Sequence, residues 1–382
     1  MVSLLDCTVT VLKCSECHRE ISSFFGLLSV CQRHLHQRMA RTMTRSQQAM
    51  PPGKDRLSEP GQAFESSDVL VFVEDATVTA ASVNHAQKIA GVFGGKVVLV
   101  QVLCKPVNGN GPIDPVEWDI KKQQTLKQLG MLTKGSEGAN QPCSVELLEG
   151  QCVNQIKALM EHRQGDIAAS LRPRSDIEWH LSETAWGVLL SQSAAVLMIP
   201  DDAAIEPNAQ YRRILVPLDG SSRAEAALPV AMKLARAEQA ELIICYVLPT
   251  PSLTELAAGD PETERLHALV RHRNEQAGKT YLDRIRKRFE HNGLKISVRV
   301  SHSGDARRAL IDIISKENTD FVIMATHGHS GHRDVPTGDV ARYVLTNADI
   351  PVLLVRPRNN RDNNHAFGKV SSTGVRQPAG TD

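Results

Sequence analysis

Between Asp68 and Arg358 the apolar residues form two kinds of run, and the two kinds alternate. Short unbroken runs, such as those in "DVLVFVED", "KVVLVQVL", "RRILVPLD", "ELIICYVL" and "DFVIMAT", read as β-strands. An unbroken apolar strand is one covered by helices on both faces. The segments between them carry apolar residues three and four apart, the period of a helix that buries one side. Ala226, Val230, Met232, Leu234 and Ala235 are one such set. Strands alternating with helices predict a parallel sheet with right-handed crossovers.

The alternation occurs twice. "DVLVFVEDATVTAASVNHAQKIAGVFGGKVVLVQVL" opens one half and "RRILVPLDGSSRAEAALPVAMKLARAEQAELIICYVL" the other. Each opening strand ends at an acid, Asp75 or Asp219. The interval from Asp75 to Val102 is 27 residues, and that from Asp219 to Val247 is 28. Each half closes on a matching strand, "AVLMIP" or "PVLLVRP". A repeat this long is a duplicated domain rather than a solenoid. The chain therefore divides into an extension at 1–66, domains at 67–203 and 210–358, and a tail at 359–382.

In the second half, further strands are expected at "KISVRV", "DFVIMAT" and Val352 to Val355, with helices from about Pro261 to Glu290, after Gly304-Asp305, and up to Leu345. Ligands of such sheets lie beyond the carboxyl ends of the strands, where strand order reverses. Asp219, Val247 and the loop after Ala325 all fall at such ends. The two closing strands are apolar, and each would be an open edge in an isolated domain. With the short connector "DDAAIEPNAQYR" between the halves, strands near Val196 and Val352 are expected side by side and antiparallel. That would make an internal pseudo-dimer, with a homodimer through other faces left open.

Composition narrows the classes. A net charge of +1 gives no field favouring nucleic acid or an anionic membrane, and 4% aromatic residues leave little for base stacking. No apolar run nears the roughly 20 residues of a membrane-spanning helix. Cys104, Cys143, Cys152 and Cys245 read as isolated, mostly buried thiols, which suits a reducing cytoplasm. The extension at 1–66 differs: Cys14-Ser-Glu-Cys17-His18 has the spacing of c-type haem attachment. With Cys31, His34 and His36 it also offers zinc ligands. Against both stands a poorly ordered tail, with Met39, Met43 and Met50 as later possible starts. No export signal accompanies the haem pattern.

The stretch "ATHGHSGHRDVPTGDVARYV", Ala325 to Val344, precedes a helical pattern. With "ILVPLDGS", the strand ending in Tyr246-Val247 and the "PVLLVRP" strand, it makes residues 212–358 resemble a universal stress protein domain; residues from 68 resemble a fainter copy. The resemblance implies two tandem, doubly wound, five-stranded parallel-sheet α/β domains of the adenine nucleotide α-hydrolase-like fold. It also implies ATP or another adenine nucleotide on a loop of the form Gly-x-x-Gly, nine residues, then Gly-Ser or Gly-Thr. Here Ala325 stands at the first glycine, Gly328 at the second and Gly338 at the third, with Asp339 in place of Ser or Thr. Glycines admit phosphate close to the backbone N–H groups, and a helix amino terminus adds positive potential. Asp339 cannot donate when ionised. At about 4 Å and an effective dielectric near 20, it would repel a phosphate charge by about 4 kcal/mol.

By the same resemblance Asp219 orients ribose or adenine through the neighbouring backbone, Val247 belongs to the nucleotide site, and His327 faces the phosphates or solvent. The implied function is a cytoplasmic stress-response regulator with a weak or vestigial adenine-nucleotide site, acting with an unidentified protein partner. No catalytic residue is assigned, and no metal beyond magnesium carried by the nucleotide. The alternative is a slow nucleotide hydrolase or phosphoryl-transfer enzyme in the second half. His327, His329, His332 and Asp334 offer metal ligands in a loosely spaced loop and are assigned none. In the first half the matching stretch, Asp166 to Trp186, has no glycine. Arg172, Arg174 and Trp179 stand there instead, read as a solvated surface in a domain that keeps its fold and has lost its ligand.

Overall fold

The computed structural model describes residues 12–13, 20–21, 66–74, 80–104, 114–134, 143–172, 182–200, 203, 210–249, 261–289, 293–328 and 337–356. Two units are separable, 1–59 and 60–382. In the first, β1 (Leu12–Lys13) and β2 (Glu20–Ile21) pair antiparallel. The cysteines and histidines considered there as haem or zinc ligands lie outside the described residues, as do Asp75, Arg174, Trp179, His329, His332, Asp334 and the tail.

The second unit contains both halves. The first has β3 (Val69–Val73), α1 (Ala80–Phe93), β4 (Val97–Leu103), α2 (Pro115–Lys134), β5 (Cys143–Glu149), α3 (Cys152–His162), β6 (Ile167–Arg172), α4 (Glu183–Leu190) and β7 (Ala195–Pro200). The second has β8 (Arg213–Leu218), α5 (Ser222–Glu225), α6 (Ala227–Glu238), β9 (Glu241–Pro249), α7 (Pro261–Phe289), β10 (Ile296–Gly304), α8 (Ala306–Lys316), β11 (Phe321–Ala325), α9 (Asp339–Asn347) and β12 (Val352–Val355).

The ten strands form one sheet in the order β10-β9-β8-β11-β12-β7-β6-β3-β4-β5. The order reads the same from either end once each strand is replaced by its counterpart. Within each half every pairing is parallel; between β12 and β7 it is antiparallel. Aligning "AAVLMIP" with "PVLLVRP" makes Val196 the counterpart of Leu353 and Leu197 that of Leu354. The observed partners are Leu197 with Leu353 and Val196 with Leu354. These two pairs are images of one another, so a local twofold axis passes between them. The antiparallel joint expected from the two closing strands is present.

The joint leaves β10 and β5 as the sheet edges, and their sequences suit that place. Both are partly exposed along most of their length, and both interleave polar residues, Ser297, Arg299 and Ser301 or Ser144 and Glu146, with apolar ones. Arg299 is clamped by Glu317, with Nη2 to Oε2 at 3.0 Å. Charged side chains on an edge discourage pairing with another chain. The inner strands β3, β7, β11 and β12 are buried throughout.

Side chains alternate between two cores. Val69, Val71 and Val73 point to the core under α1, α2, α6 and α7; Leu70 and Phe72 point to the one under α3, α4, α8 and α9. Each core runs through both halves. The helical stretch that begins at Ser222 breaks at Ala226, which is partly exposed. Pro229 lacks the N–H that would bond the Glu225 carbonyl, so the helix restarts one residue later.

A buried cluster holds α1 of one half to α6 of the other. His85 Nε2 lies 2.9 Å from the Ala203 carbonyl in the connector, and Nδ1 lies 2.6 Å from the Tyr211 hydroxyl. A carbonyl only accepts, so Nε2 carries the proton and Nδ1 accepts from Tyr211. Lys88 donates to both oxygens of Glu238 at 3.2 and 3.0 Å, and Glu238 Oε2 also accepts from the Tyr211 backbone N–H at 3.0 Å. Tyr211 stacks on His85 and tilts against Phe321. Arg356, just beyond β12, crosses to the first half and donates to the carbonyls of Ser191 and of Leu189, the latter at 2.5 Å. Of the four thiols expected to be mostly buried, Cys152 and Cys245 are, Cys143 is half-buried and Cys104 is exposed. Cys104 follows the last residue of β4, where the covered strand has already ended.

Candidate functional site

Three strand ends meet at one end of the second half. β8 lies between β9 and β11 in the sheet, so Asp219 after β8, Val247 near the end of β9 and Ala325 closing β11 share the carboxyl-terminal rim. Val247 pairs with Ser301 and packs into the core under α8 and α9. Ala325 is buried and pairs with Val355.

Asp219 is exposed and holds two segments. Its Oδ1 accepts from the Ser221 N–H at 3.0 Å and the Ser221 hydroxyl at 2.6 Å. Ser221 Oγ in turn accepts from the Ala224 N–H at 3.1 Å, so Ser221 is the helix cap and Asp219 supports it from behind. Its other oxygen, Oδ2, fills the space beside Gly328: a Cβ built on that glycine would lie 2.1 Å from it. Gly328 is therefore glycine because the carboxylate of the neighbouring strand end sits against its backbone.

Gly338 is different. It is the cap residue of α9, with φ −72° and ψ 161°, a backbone any residue adopts. Its N–H donates to the Thr326 carbonyl at 2.8 Å, which folds the end of the loop back onto the end of β11. A Cβ at Gly338 would have Thr326 O at 3.6 Å and the His327 Cα at 3.9 Å, both ordinary contacts. Among the described residues nothing gives a reason for glycine there. His327, partly exposed, lies 3.2 Å from the Thr326 hydroxyl through Nδ1.

Asp339 opens α9 with its side chain 84% exposed and 3.6 Å from Arg342. Its charge also acts on Arg307 at the start of α8. An acid this exposed, next to two guanidinium groups, is screened by water and by its partners. The repulsion of a bound phosphate is nearer the bulk-water figure of about 1 kcal/mol at 4 Å than the fourfold larger one for a lower dielectric.

The structure thus brings Asp219 against Gly328, and Gly338 against Thr326 and His327. Val247 and Ala325 share their rim, and Asp339 turns toward α8. Sequence reasoning missed the wall behind Asp219. Tyr246 lies 4.0 Å from where a Cβ of Gly220 would be and meets Tyr281 edge-on at 6.0 Å. Tyr281 donates to Glu225 at 3.0 Å. Burial first, then the Asp219 charge, pushes the Tyr246 hydroxyl above its ordinary range. One signal was available: Gly278 in the middle of α7, where a Cβ would come within 3.1 Å of the Tyr246 ring. Among the described residues no group of three or more His, Cys, Asp or Glu side chains is placed to hold a metal ion.

Residues 210–356 match the model of the universal stress protein family. They are a universal stress protein domain. A universal stress protein of Methanocaldococcus jannaschii is 28% identical over 146 residues, covering 38% of this chain and 82% of the relative. A second from that organism is 26% identical over 161 residues, covering 39% of this chain and 98% of its own. A solved universal stress protein from Archaeoglobus fulgidus covers 78% of this chain and 98% of its own, with a TM-score of 0.56 at 18% identity. At that identity the likeness shows the fold, and its reach shows that both halves of the tandem chain share the universal stress protein architecture. None of the helices described is long and apolar enough to cross a membrane.

Proposed function

We propose that the chain is a stress-response regulator whose second half binds an adenine nucleotide weakly, without dedicated catalysis, while the first half serves as its fixed structural partner. The observation that carries this is the contrast between the two glycines. Gly328 is explained by Asp219, whereas no described residue lies close enough to Gly338 to exclude a side chain. A glycine that no described residue requires, at the amino end of a helix, fits a ligand that approaches the backbone closely. Asp219, Val247 and His327 stand at the same rim. Magnesium would arrive with the nucleotide.

Ser221 and Asp219 are hydrogen-bonded, yet Ser221 is committed to capping α5, which argues against its use as a nucleophile. The experiment is to purify the full chain, release any small molecule by denaturation, and identify it, then titrate ATP with magnesium calorimetrically. An adenine nucleotide recovered or bound without turnover supports the proposal. Steady hydrolysis would replace it with a slow nucleotide hydrolase. No recovery and no heat of binding would refute the nucleotide reading.

A further inference from the structure

The corresponding end of the first half carries a different chemistry. β4 and β5 run in register to their ends, Leu103 opposite Glu149, and the Gly150 N–H donates to the Leu103 carbonyl at 3.0 Å. Cys104 follows directly on one strand. Cys152, two residues past Gly150, is the first residue of α3. This places the two thiols at the same end of the β4–β5 pair, near enough for Cys104 to act on the Cys152 thiol. Cys104 is exposed; Cys152 is 4% exposed and lies 3.2 Å from the buried Thr184 hydroxyl through its sulfur. Aligning Val102 with Val247 and Gly150 with Gly304 puts Pro249 and Ala306 at the matching places of the second half. The pair therefore belongs only to the half whose loop lacks the glycines.

We propose that Cys104 and Cys152 are a site of reversible oxidation by peroxides, Cys104 attacking the peroxide and Cys152 then closing a disulfide onto it. The proposal does not depend on the nucleotide reading. Exposure decides the order of the two thiols, since only Cys104 can be reached by a peroxide from solution. Burial pushes the Cys152 thiol up to about 11, while its hydrogen bond to Thr184 pulls in the other direction. Cys152 is therefore a poor first nucleophile and is suited to the second step, from the neighbouring strand end.

In the first step the Cys104 thiolate attacks one peroxide oxygen. An S–O bond forms and the O–O bond breaks. The sulfur loses two electrons to the peroxide, whose other oxygen leaves as water or alcohol after taking a proton. In the second step the Cys152 sulfur attacks the Cys104 sulfenic acid. The S–S bond forms, the S–O bond breaks, and the hydroxyl leaves as water with the Cys152 proton. A cellular thiol reverses the reaction by exchange.

The test uses the full chain, with its N-terminal cysteines, treated with a modest excess of hydrogen peroxide. Remaining thiols are alkylated and the chain is mapped by non-reducing peptide mass spectrometry. The expected product links the Cys104 and Cys152 peptides, with loss of two alkylatable thiols, and reverts with a thiol reductant. Cys245, fully buried and pushed up to about 12, should stay reduced as an internal reference. Cys152→Ser should halt at a sulfenic acid on Cys104 that dimedone traps. Thr184→Val should slow disulfide closure by roughly three- to tenfold, the worth of one hydrogen bond, without changing the first step. If the wild-type chain instead links Cys104 to another cysteine, or carries Cys104 to sulfinic acid while Cys152 remains alkylatable, the proposal is overturned.

Discussion

Acid should loosen the joint between the halves, and His85 sets the size of the effect. Burial, chiefly, and the Lys88 charge lower its pKa from the usual 6.5 to about 4, while the hydrogen bond to Ala203 works the other way. The cationic form has little to gain: Tyr211 already bonds Nδ1, the Lys88 charge opposes a second cation, and Glu238 is already taken by Lys88. Between the two pKa values the unfolded chain binds a proton at this position that the folded chain does not. Stability from His85 is thus full above the unfolded value and lost as pH falls through the window toward about 4.

From about pH 7 to about pH 4.5 the loss comes to about 2–3 kcal/mol, at about 1.4 kcal/mol per pKa unit. Carboxylates and other histidines also titrate there, so the informative quantity is a difference. Urea unfolding of the wild type and of His85→Gln, followed by circular dichroism across this range, gives two stability curves. The wild-type advantage, about 1–3 kcal/mol at neutral pH from the lost ring bonds, should shrink by about 2–3 kcal/mol at the acid end. Two parallel curves would show that His85 does not carry the proton linkage, and the reading of the joint would fail with it.

Gly328→Ala should cost about 1–3 kcal/mol in the same unfolding assay, because the Asp219 carboxylate must leave its place and its bonds to Ser221. Gly338→Ala should change stability by less than about 1 kcal/mol, since its methyl makes only ordinary contacts with Thr326 and His327, yet weaken any ATP binding by about tenfold or more if phosphate approaches this backbone as proposed. Asp339→Ser should tighten ATP by about fivefold in a calorimetric titration, the worth of about 1 kcal/mol of screened repulsion; unchanged affinity would place phosphate elsewhere. Arg356→Ala should lower stability by about 2–3 kcal/mol, as two carbonyls of the first half lose a charged donor; Arg356→Lys should recover only part of it.

The strands were legible because each inner one is apolar on both faces, and the duplication because the two openings share length and ending. Even the β7–β12 joint could be foreseen, since two apolar edges in one chain need a cover. What escaped notice depends on contacts between elements far apart in sequence. Nothing near His85 announces Tyr211, 126 residues away. Tyr246 looked like a strand residue until α7 supplied Gly278 and Tyr281. The Asp339 argument used the wrong dielectric, because exposure is a property of the folded surface. The thiols misled for the same reason: Cys104 stands one residue beyond the point where its strand stops being covered.

The β7–β12 joint also changes how the two halves may evolve. Separate domains meeting across a twofold axis depend on concentration for their assembly, and any substitution in one appears in the other. Here the partner is tethered at a high effective concentration, so the joint forms at any dilution. Each half is also encoded separately. A glycine lost from the rim loop of one leaves the other untouched, and a cysteine gained at the rim of one is not duplicated across the axis. Covalent fusion removes the requirement of symmetry, and the division of features between the halves, a glycine loop on one rim and a thiol pair on the other, follows from that freedom.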